Sequence, residues 1–155
     1  MKAISIRHPS VDVILAGLES TVPRAARTHH RGPVLLHASS SFGLQERGQL
    51  DELRRAGVDV EPPAREARGA LVGRARLVDC RPLAEDEWDG PLAGLRGGRR
   101  WAYELADVRA LPPVPCAGHL FMFEVPKDVL SAAAAAARRA GRAPRPRPGR
   151  ARGAR

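Results

Sequence analysis

Residues 17–39, GLESTVPRAARTHHRGPVLLHAS, connect a short predicted helix to a buried strand. The strand is predicted at Val34–Ala38. It begins with the apolar run Val34–Leu36, which is followed by His37 and, just after the strand, by Ser39. Between the two elements the segment is rich in arginine and histidine, with no acidic residue after Glu19. A polar, cationic segment held between two core elements is well placed to contact a ligand, so we expect the functional site here.

A strand and a helix precede this segment. Ala3–Ile6 is short and alternates apolar with polar residues, which predicts a strand. Ser10 suits the N-cap of a helix that runs to Ala16, and Gly17 suits the left-handed residue that ends such a helix. The residues at i, i+3 and i+4 of this helix are expected to be buried: Val11, Ile14 and Leu15.

Two further elements are predicted around the strand at Val34–Ala38. Glu19–Arg24 predicts a strand at an edge of the sheet or at a bulge, because Pro23 cannot donate a hydrogen bond to a sheet. Residues Ser39–Ser41 form a loop that can cap a second helix, Leu44–Ala56, which stops at Gly57. We expect this helix to turn Leu44, Leu50 and Leu53 toward the core and Glu46 toward water.

The second half of the chain predicts mainly strands. They are Ala70–Val78, Trp101–Leu105, Val108–Leu111 and His119–Val125, with a turn at Pro112–Pro115. Several short strands and only two core helices favour a small β-barrel. The fold class is therefore predicted as α+β, mainly β, with about six short strands, two flanking helices and a C-terminal helix.

The C-terminal part is strongly basic. Residues 127–140 predict an alanine-rich helix, and residues 141–155 predict a disordered tail of Arg, Pro and Gly. Residues 131–155 hold eight arginines and no acid, so they carry +8 of the net charge of +9. The tail Arg138–Arg155 therefore favours nonspecific contact with polyanions, although a GC-rich coding bias would give the same composition.

Composition excludes several kinds of protein. Cys80 and Cys116 lack CxxC spacing and the five histidines lack metal-ligand spacing, so we expect no metal and no cofactor. No apolar run approaches the ~20 residues that span a bilayer, and the N-terminus has no apolar signal-peptide core. We therefore expect a cytoplasmic protein without membrane contact.

Short motifs follow one another across residues 1–126. They are KAISIRHP at 2–9, ILAG at 14–17, RGPVLLHAS at 31–39, GALVG at 69–73, LVDC at 77–80 and WAYEL at 101–105. In this order the chain resembles the ASCH domain family of the PUA-like superfamily. The resemblance implies a PUA-like pseudo-barrel over residues 1–126, with helices after the first strand and beside the barrel.

The resemblance also implies a range of functions. Members of the family bind RNA or DNA, and a few bacterial members are enzymes: a hydrolase that removes the acetyl group of N4-acetylcytidine, and a ribonuclease. We therefore expect a module that binds RNA, another nucleic acid or a nucleotide. The alternatives are a hydrolase acting on a modified nucleoside, a ribonuclease, and a protein-interaction adaptor.

One motif of the family is incomplete here. After the first helix the family pattern runs glycine, any residue, lysine, two residues, an acid or threonine, any residue, arginine. Gly17 and Arg24 match it, but Glu19 stands at the lysine position and Val22 at the acid-or-threonine position. A carboxylate reverses the charge of a lysine, and valine lacks a group that could orient or attack a substrate. We therefore expect binding without catalysis.

The candidate site residues follow from these considerations. Guanidinium groups match phosphate oxygens, and an aromatic ring can stack on a base. Candidate contacts to nucleic acid are Arg7, Arg24, Arg27, Arg31, His37, Ser39 and Tyr103, and candidate catalytic residues are Glu104, His37 and Ser39.

Overall fold

The computed structural model describes residues 1–87 and 93–142, which contain six strands, four α-helices and a short 3-10 helix at Arg65–Ala67. The strands are β1 (Lys2–Ile6), β2 (Thr21–Arg24), β3 (Gly32–Ala38), β4 (Ala70–Pro82), β5 (Trp101–Pro115) and β6 (Phe123–Glu124). The helices are α1 (Ser10–Leu15), α2 (Leu44–Arg55), α3 (Ala93–Arg96) and α4 (Lys127–Arg142). The strands form one mixed sheet in the order β2-β5-β4-β3-β1-β6, which confirms the predicted α+β class.

The middle of the sheet sets the position of the functional site. Strands β1 and β3 run parallel, with Ile4 opposite Leu36 and Ser5 opposite His37. The other paired strands are antiparallel, and β2 lies at one edge of the sheet, as Pro23 predicts. Because paired residues on adjacent strands project to the same face, Ser5 and His37 meet as a direct consequence of this register.

Helices cover both faces of the sheet. On one face, Val11 and Ile14 of α1 pack against Ile4 and Leu36 in a buried cluster. On the other face, Ala133 and Ala136 of α4 pack against residues of three strands, Ala3, Leu35 and Val114. Fully burying a Leu or Ile side chain stabilises a fold by roughly 1.5–3 kcal/mol. These two apolar layers therefore hold the strand ends that form the site.

The two longer helices before β4 differ in detail from the sequence predictions. Pro9 rather than Ser10 is the N-cap of α1, and Val13 is buried where Leu15 was expected. The reason is that α1 lies between the sheet and α2, so Val13 packs on Leu50 and Leu53. Gly17 has φ +76°, the predicted left-handed end residue.

The first turn of α2 reverses the predicted orientation. Leu44 is 91% exposed, while Glu46 is 6% exposed. Gly43 is the N-cap of this helix, rather than a residue of Ser39–Ser41. The amide of Gly43 donates to Glu46 Oε2 at 2.9 Å, and this bond draws the carboxylate inward and leaves Leu44 on the outer side.

The strands of the second half are also rearranged. The two strands predicted at Trp101–Leu105 and Val108–Leu111 are one long strand, β5, which bends at Asp107 with φ +53°. The predicted turn at Pro112–Pro115 is wrong, because Val114 and Pro115 stay paired with β4. Strand β2 pairs with β5 only as far as Glu104, and Pro112 and Pro113 have no partner in the register with β4, so their missing N–H groups cost no ladder bond.

The last predicted strand is shorter than expected. Of His119–Val125 only Phe123–Glu124 pairs with β1, and residues 116–122 form a loop beside the C-terminal end of β1. Helix α4 continues to Arg142, and residues 143–155, most of the predicted tail, lie outside the described residues. Among the described helices none is long and apolar enough to cross a bilayer.

Candidate functional site

A cleft of about 940 Å³ opens beside the C-terminal end of β1. Its walls come from β1, the end of β2, the end of β3 and the loop at 115–120. Three arginines line it, Arg7, Arg24 and Arg99, and none of its lining residues in the described part of the chain is acidic. We call it the arginine cleft. A cavity of this size lies within the range of ~300–1,000 Å³ that is usual for ligand sites.

Arg24 holds the cleft together. Its Nη1 donates to the Ser5 carbonyl at 2.6 Å, and its Nη2 donates to the Leu120 carbonyl at 3.0 Å. The guanidinium thus joins β1 to the loop that forms the far wall. Burial and the nearby charge of Arg99 lower the pKa of Arg24, while Tyr103 acts in the opposite direction. The side chain is half-buried, so its positive charge still faces the cleft.

The other two arginines add charge around this centre. Burial, and next the charge of Arg7, lower the pKa of Arg99. Arg99 donates to the carbonyls of Leu95 and Arg96, which fixes it to the end of α3. Arg7 has a carboxylate nearby, Glu46 at 3.8 Å; Glu46 lines a smaller neighbouring cavity of about 120 Å³, which the same three arginines also border. Three like charges held in one place favour an anion, because the anion relieves their mutual repulsion.

Ser5 and His37 form a hydrogen-bonded pair at the base of the cleft. His37 is 2% exposed; its Nε2 lies 2.7 Å from the Cys116 carbonyl and its Nδ1 lies 3.0 Å from Ser5 Oγ. A carbonyl can only accept, so Nε2 carries the proton and Nδ1 accepts from the Ser5 hydroxyl. The amide of His119 donates to Ser5 Oγ at 3.3 Å. A hydroxyl bonded to a histidine whose other nitrogen is held is the arrangement of an activated nucleophile.

The structure has counterparts among solved proteins. A point mutant of ZmASCH from Zymomonas mobilis superposes with a TM-score of 0.51 over 86% of this chain and 96% of that chain, at 11% sequence identity. The chain has an ASCH-like fold. ASCH from Zymomonas mobilis also matches, at 11% identity and TM-score 0.48 over 84% of this chain and 90% of that one. No protein-family model and no curated protein matches the sequence.

The ASCH-like fold brings together some of the residues that were predicted to contact nucleic acid. Arg7, Arg24, His37 and Ser39 all line the arginine cleft. Arg27 and Tyr103 lie next to it and line a second cavity. The hydroxyl partner of His37 is Ser5 rather than Ser39, because the parallel register of β1 and β3 places Ser5 directly opposite the histidine.

Two predicted residues lie away from the cleft. Arg31 lies 3.5 Å from Asp79 on β4 and donates to the carbonyls of Thr28 and His30, so its guanidinium is engaged outside the cleft. Glu104 is not among the cleft-lining residues; Arg81 Nε donates to it at 2.7 Å. The ion pair with Arg81 holds the Glu104 carboxylate on β5, away from the arginine cleft.

The two positions that depart from the family motif have local roles. Glu19 Oε1 accepts hydrogen bonds from the amides of Ser20 and Thr21, at 2.9 and 3.0 Å, and so closes the turn before β2. Val22 is 2% exposed and belongs to the core cluster of the α1 face. Neither side chain offers a proton donor or a nucleophile to the arginine cleft.

Sequence reasoning missed three contributors to the site. Arg99 follows Gly97-Gly98, a pair that predicts only a turn. The sequence does not show that Arg99 lies close enough to Arg7 for the two charges to interact, because that is a tertiary contact. Ser5 lies within an alternating strand, where its polar side chain reads as solvent-facing. Gly118 packs on the pair: a Cβ there would lie 2.5 Å from His37 Cε1. In the described residues no cluster of His, Cys, Asp or Glu is arranged to hold a metal ion.

Stability is expected to fall as the pH drops below about 6.5, the ordinary histidine value, because of His37. Burial, and to a smaller extent the charge of His119, hold the pKa of His37 below that value, against the hydrogen bond to Cys116. The unfolded chain then binds the proton more tightly than the folded chain, so acid favours unfolding. Denaturant midpoints at pH 7.5 and 5.5 should differ in the wild type and differ less in His37→Gln.

His29→Gln is the matched control, because His29 is exposed in the loop before β3. This variant should keep the wild-type difference between the two midpoints. A His37→Gln protein with the same pH dependence as wild type would contradict the assignment of His37 as a buried, neutral histidine.

Proposed function

We propose that the chain binds RNA, or another nucleic acid or nucleotide, through phosphate groups in the arginine cleft. The observation that carries the proposal is the convergence of Arg7, Arg24 and Arg99 on one cleft whose described lining residues include no acid. Guanidinium groups pair with phosphate oxygens through two parallel hydrogen bonds, and each charge-assisted bond contributes roughly 1.5–3 kcal/mol. Several such contacts are enough for binding that depends on salt.

The basic tail supports the same class of ligand. The arginines from Arg138 to Arg155 would add affinity that does not depend on sequence, by releasing counterions from the phosphate backbone. The cleft would position the strand, and the tail would hold it nearby. In this arrangement the cleft provides the selective contact and the tail provides the general one.

Replacing Arg99 with alanine tests the proposal. We expect the affinity for a short single-stranded RNA to fall by about tenfold or more, since about 1.4 kcal/mol corresponds to tenfold. The measurement is an equilibrium titration at one fixed salt concentration. Arg54→Ala removes the same charge from the exposed side of α2 and should leave the affinity within about threefold of wild type. Equal losses in both variants would mean that only net charge matters.

A hydrolase is the second candidate, and the Ser5–His37 pair favours it. In such a reaction Ser5 Oγ would attack an acyl carbon while its proton moves to His37 Nδ1. The histidine would return that proton to the leaving amine or alcohol, and water would then release the acyl group from Ser5. Turnover of acylated nucleosides that disappears in Ser5→Ala would establish it; no turnover by the wild type would remove it.

A further inference from the structure

A second cavity of about 360 Å³ adjoins the arginine cleft. Arg24, Arg99 and Leu120 line both cavities, so the two lie next to each other. We propose that the second cavity, here named the Phe121 compartment, receives the base of the nucleotide whose phosphate lies on the arginines. This inference rests on the proposed function and adds to it a second contact, made to the base.

The chemistry of the walls changes between the two cavities. Both cavities are bordered by Arg24 and Arg99, but the Phe121 compartment adds four apolar residues that the arginine cleft lacks, Ala25, Ala26, Phe121 and Met122. Together the two cavities suit a ligand with an anion at one end and a largely apolar group at the other. A nucleotide has this distribution of charge.

Exposure of the loop supports an apolar contact. Phe121 is 61% exposed and the neighbouring Leu120 is 81% exposed. Large apolar side chains side by side at the mouth of a cavity leave apolar surface in water, which a bound base would cover. Phe121 offers the accessible ring here, because Tyr103 is 4% exposed and its hydroxyl donates to the Ala26 carbonyl at 2.5 Å.

Arg27 provides a second planar group. Its guanidinium carbon lies 5.4 Å from the centre of the Trp101 ring, a cation–π contact that holds the side chain beside the compartment. Planar guanidinium groups stack on bases as aromatic rings do. Thr28 also lines the compartment; its Oγ1 accepts from the His30 amide at 3.2 Å, which leaves its hydroxyl hydrogen to donate toward a base edge.

The experiment compares two ligands of equal charge. A short single-stranded RNA and an abasic ribose-phosphate oligomer of the same length present the same phosphates to the arginines and to the tail. We expect the full-length protein to bind the RNA about five- to fiftyfold more tightly, as stacking of a base on an aromatic side chain implies. Phe121→Ala should remove most of this difference by weakening the RNA alone, and should leave the abasic oligomer unchanged.

Matched variants separate this inference from the proposed function. Leu44→Ala removes another exposed apolar side chain, on α2, and should preserve the preference for RNA. Arg99→Ala should weaken both ligands. If both ligands bind equally and Arg99→Ala weakens both, the base compartment is wrong while the phosphate site stands. If neither ligand binds, the proposed function and this inference fall together.

Discussion

Replacing Arg24 with alanine is expected to lower both the stability of the fold and the affinity for nucleic acid. Its two hydrogen bonds to the carbonyls of Ser5 and Leu120 are lost together. Leaving a buried acceptor without a partner costs about 1–3 kcal/mol, and the Ser5 carbonyl lies at the base of the cleft. Affinity should fall by more than tenfold, since the guanidinium and the position of the loop at 116–122 change at once.

A conservative variant distinguishes charge from geometry at this position. Arg24→Lys keeps the positive charge, but one ammonium group cannot reach both carbonyls as a planar guanidinium does. It should recover part of the affinity and little of the stability. Chemical denaturation and RNA titration of the two variants measure the two effects separately. An Arg24→Ala protein with the stability of wild type would contradict the assignment of Arg24 as the link between β1 and the loop.

Replacing Gly118 with alanine is expected to be the second severe change. The added Cβ would lie 2.5 Å from His37 Cε1 and 2.9 Å from Ser5 Oγ. His37 cannot move aside easily, because both of its nitrogens are hydrogen-bonded and its ring packs edge-on against Phe123, 5.9 Å away. Overpacking of this kind costs about 1–3 kcal/mol. Thermal or chemical unfolding should show this loss, together with a weaker pH dependence between pH 7.5 and 5.5.

Gly98→Ala is the matched control for this substitution. A Cβ at Gly98 meets no atom within 4 Å, so the same chemical change there should leave stability within about 0.5 kcal/mol of wild type. If Gly118→Ala unfolds at the same denaturant concentration as Gly98→Ala, the close contact between Gly118 and the Ser5–His37 pair is not maintained in solution.

Local patterns predicted much of the fold. The alternation in Ala3–Ile6, the apolar run at Val34–Ala38 and the glycine at position 17 each depend on a few neighbouring residues, and each is found as expected. The motifs across residues 1–126 predicted the ASCH-like fold itself, which the comparison with solved structures confirms. These features follow from periodicity and turn chemistry, which the sequence carries directly.

Tertiary contacts explain what the sequence could not predict. The helical period of α2 predicts the wrong environments for Leu44 and Glu46. The hydrogen bond from the N-cap amide to Glu46 outweighs the hydrophobic pattern there. The prolines at 112–115 suggest a turn, but their strand lacks a partner on one side, and the sheet order that determines this is not local.

The candidate site was predicted only in part, because some of its residues meet only through tertiary contacts. Arg24 and His37 lie within the segment first identified from its charge, and both line the cleft. Ser5 and Arg99 come from distant parts of the chain and join them only through the register of β1 with β3 and the position of α3. Arg31 belongs to the same segment but does not line the cleft, because it forms an ion pair with Asp79.

A crystal structure of the full-length protein with a short single-stranded RNA tests the central claim most directly. The account predicts that a phosphate group lies between Arg7, Arg24 and Arg99 in the arginine cleft. A basic groove on another part of the surface, lined by Arg74, Arg76 and Arg109, provides the competing location. RNA bound in that groove, with the arginine cleft holding no phosphate, would contradict the account.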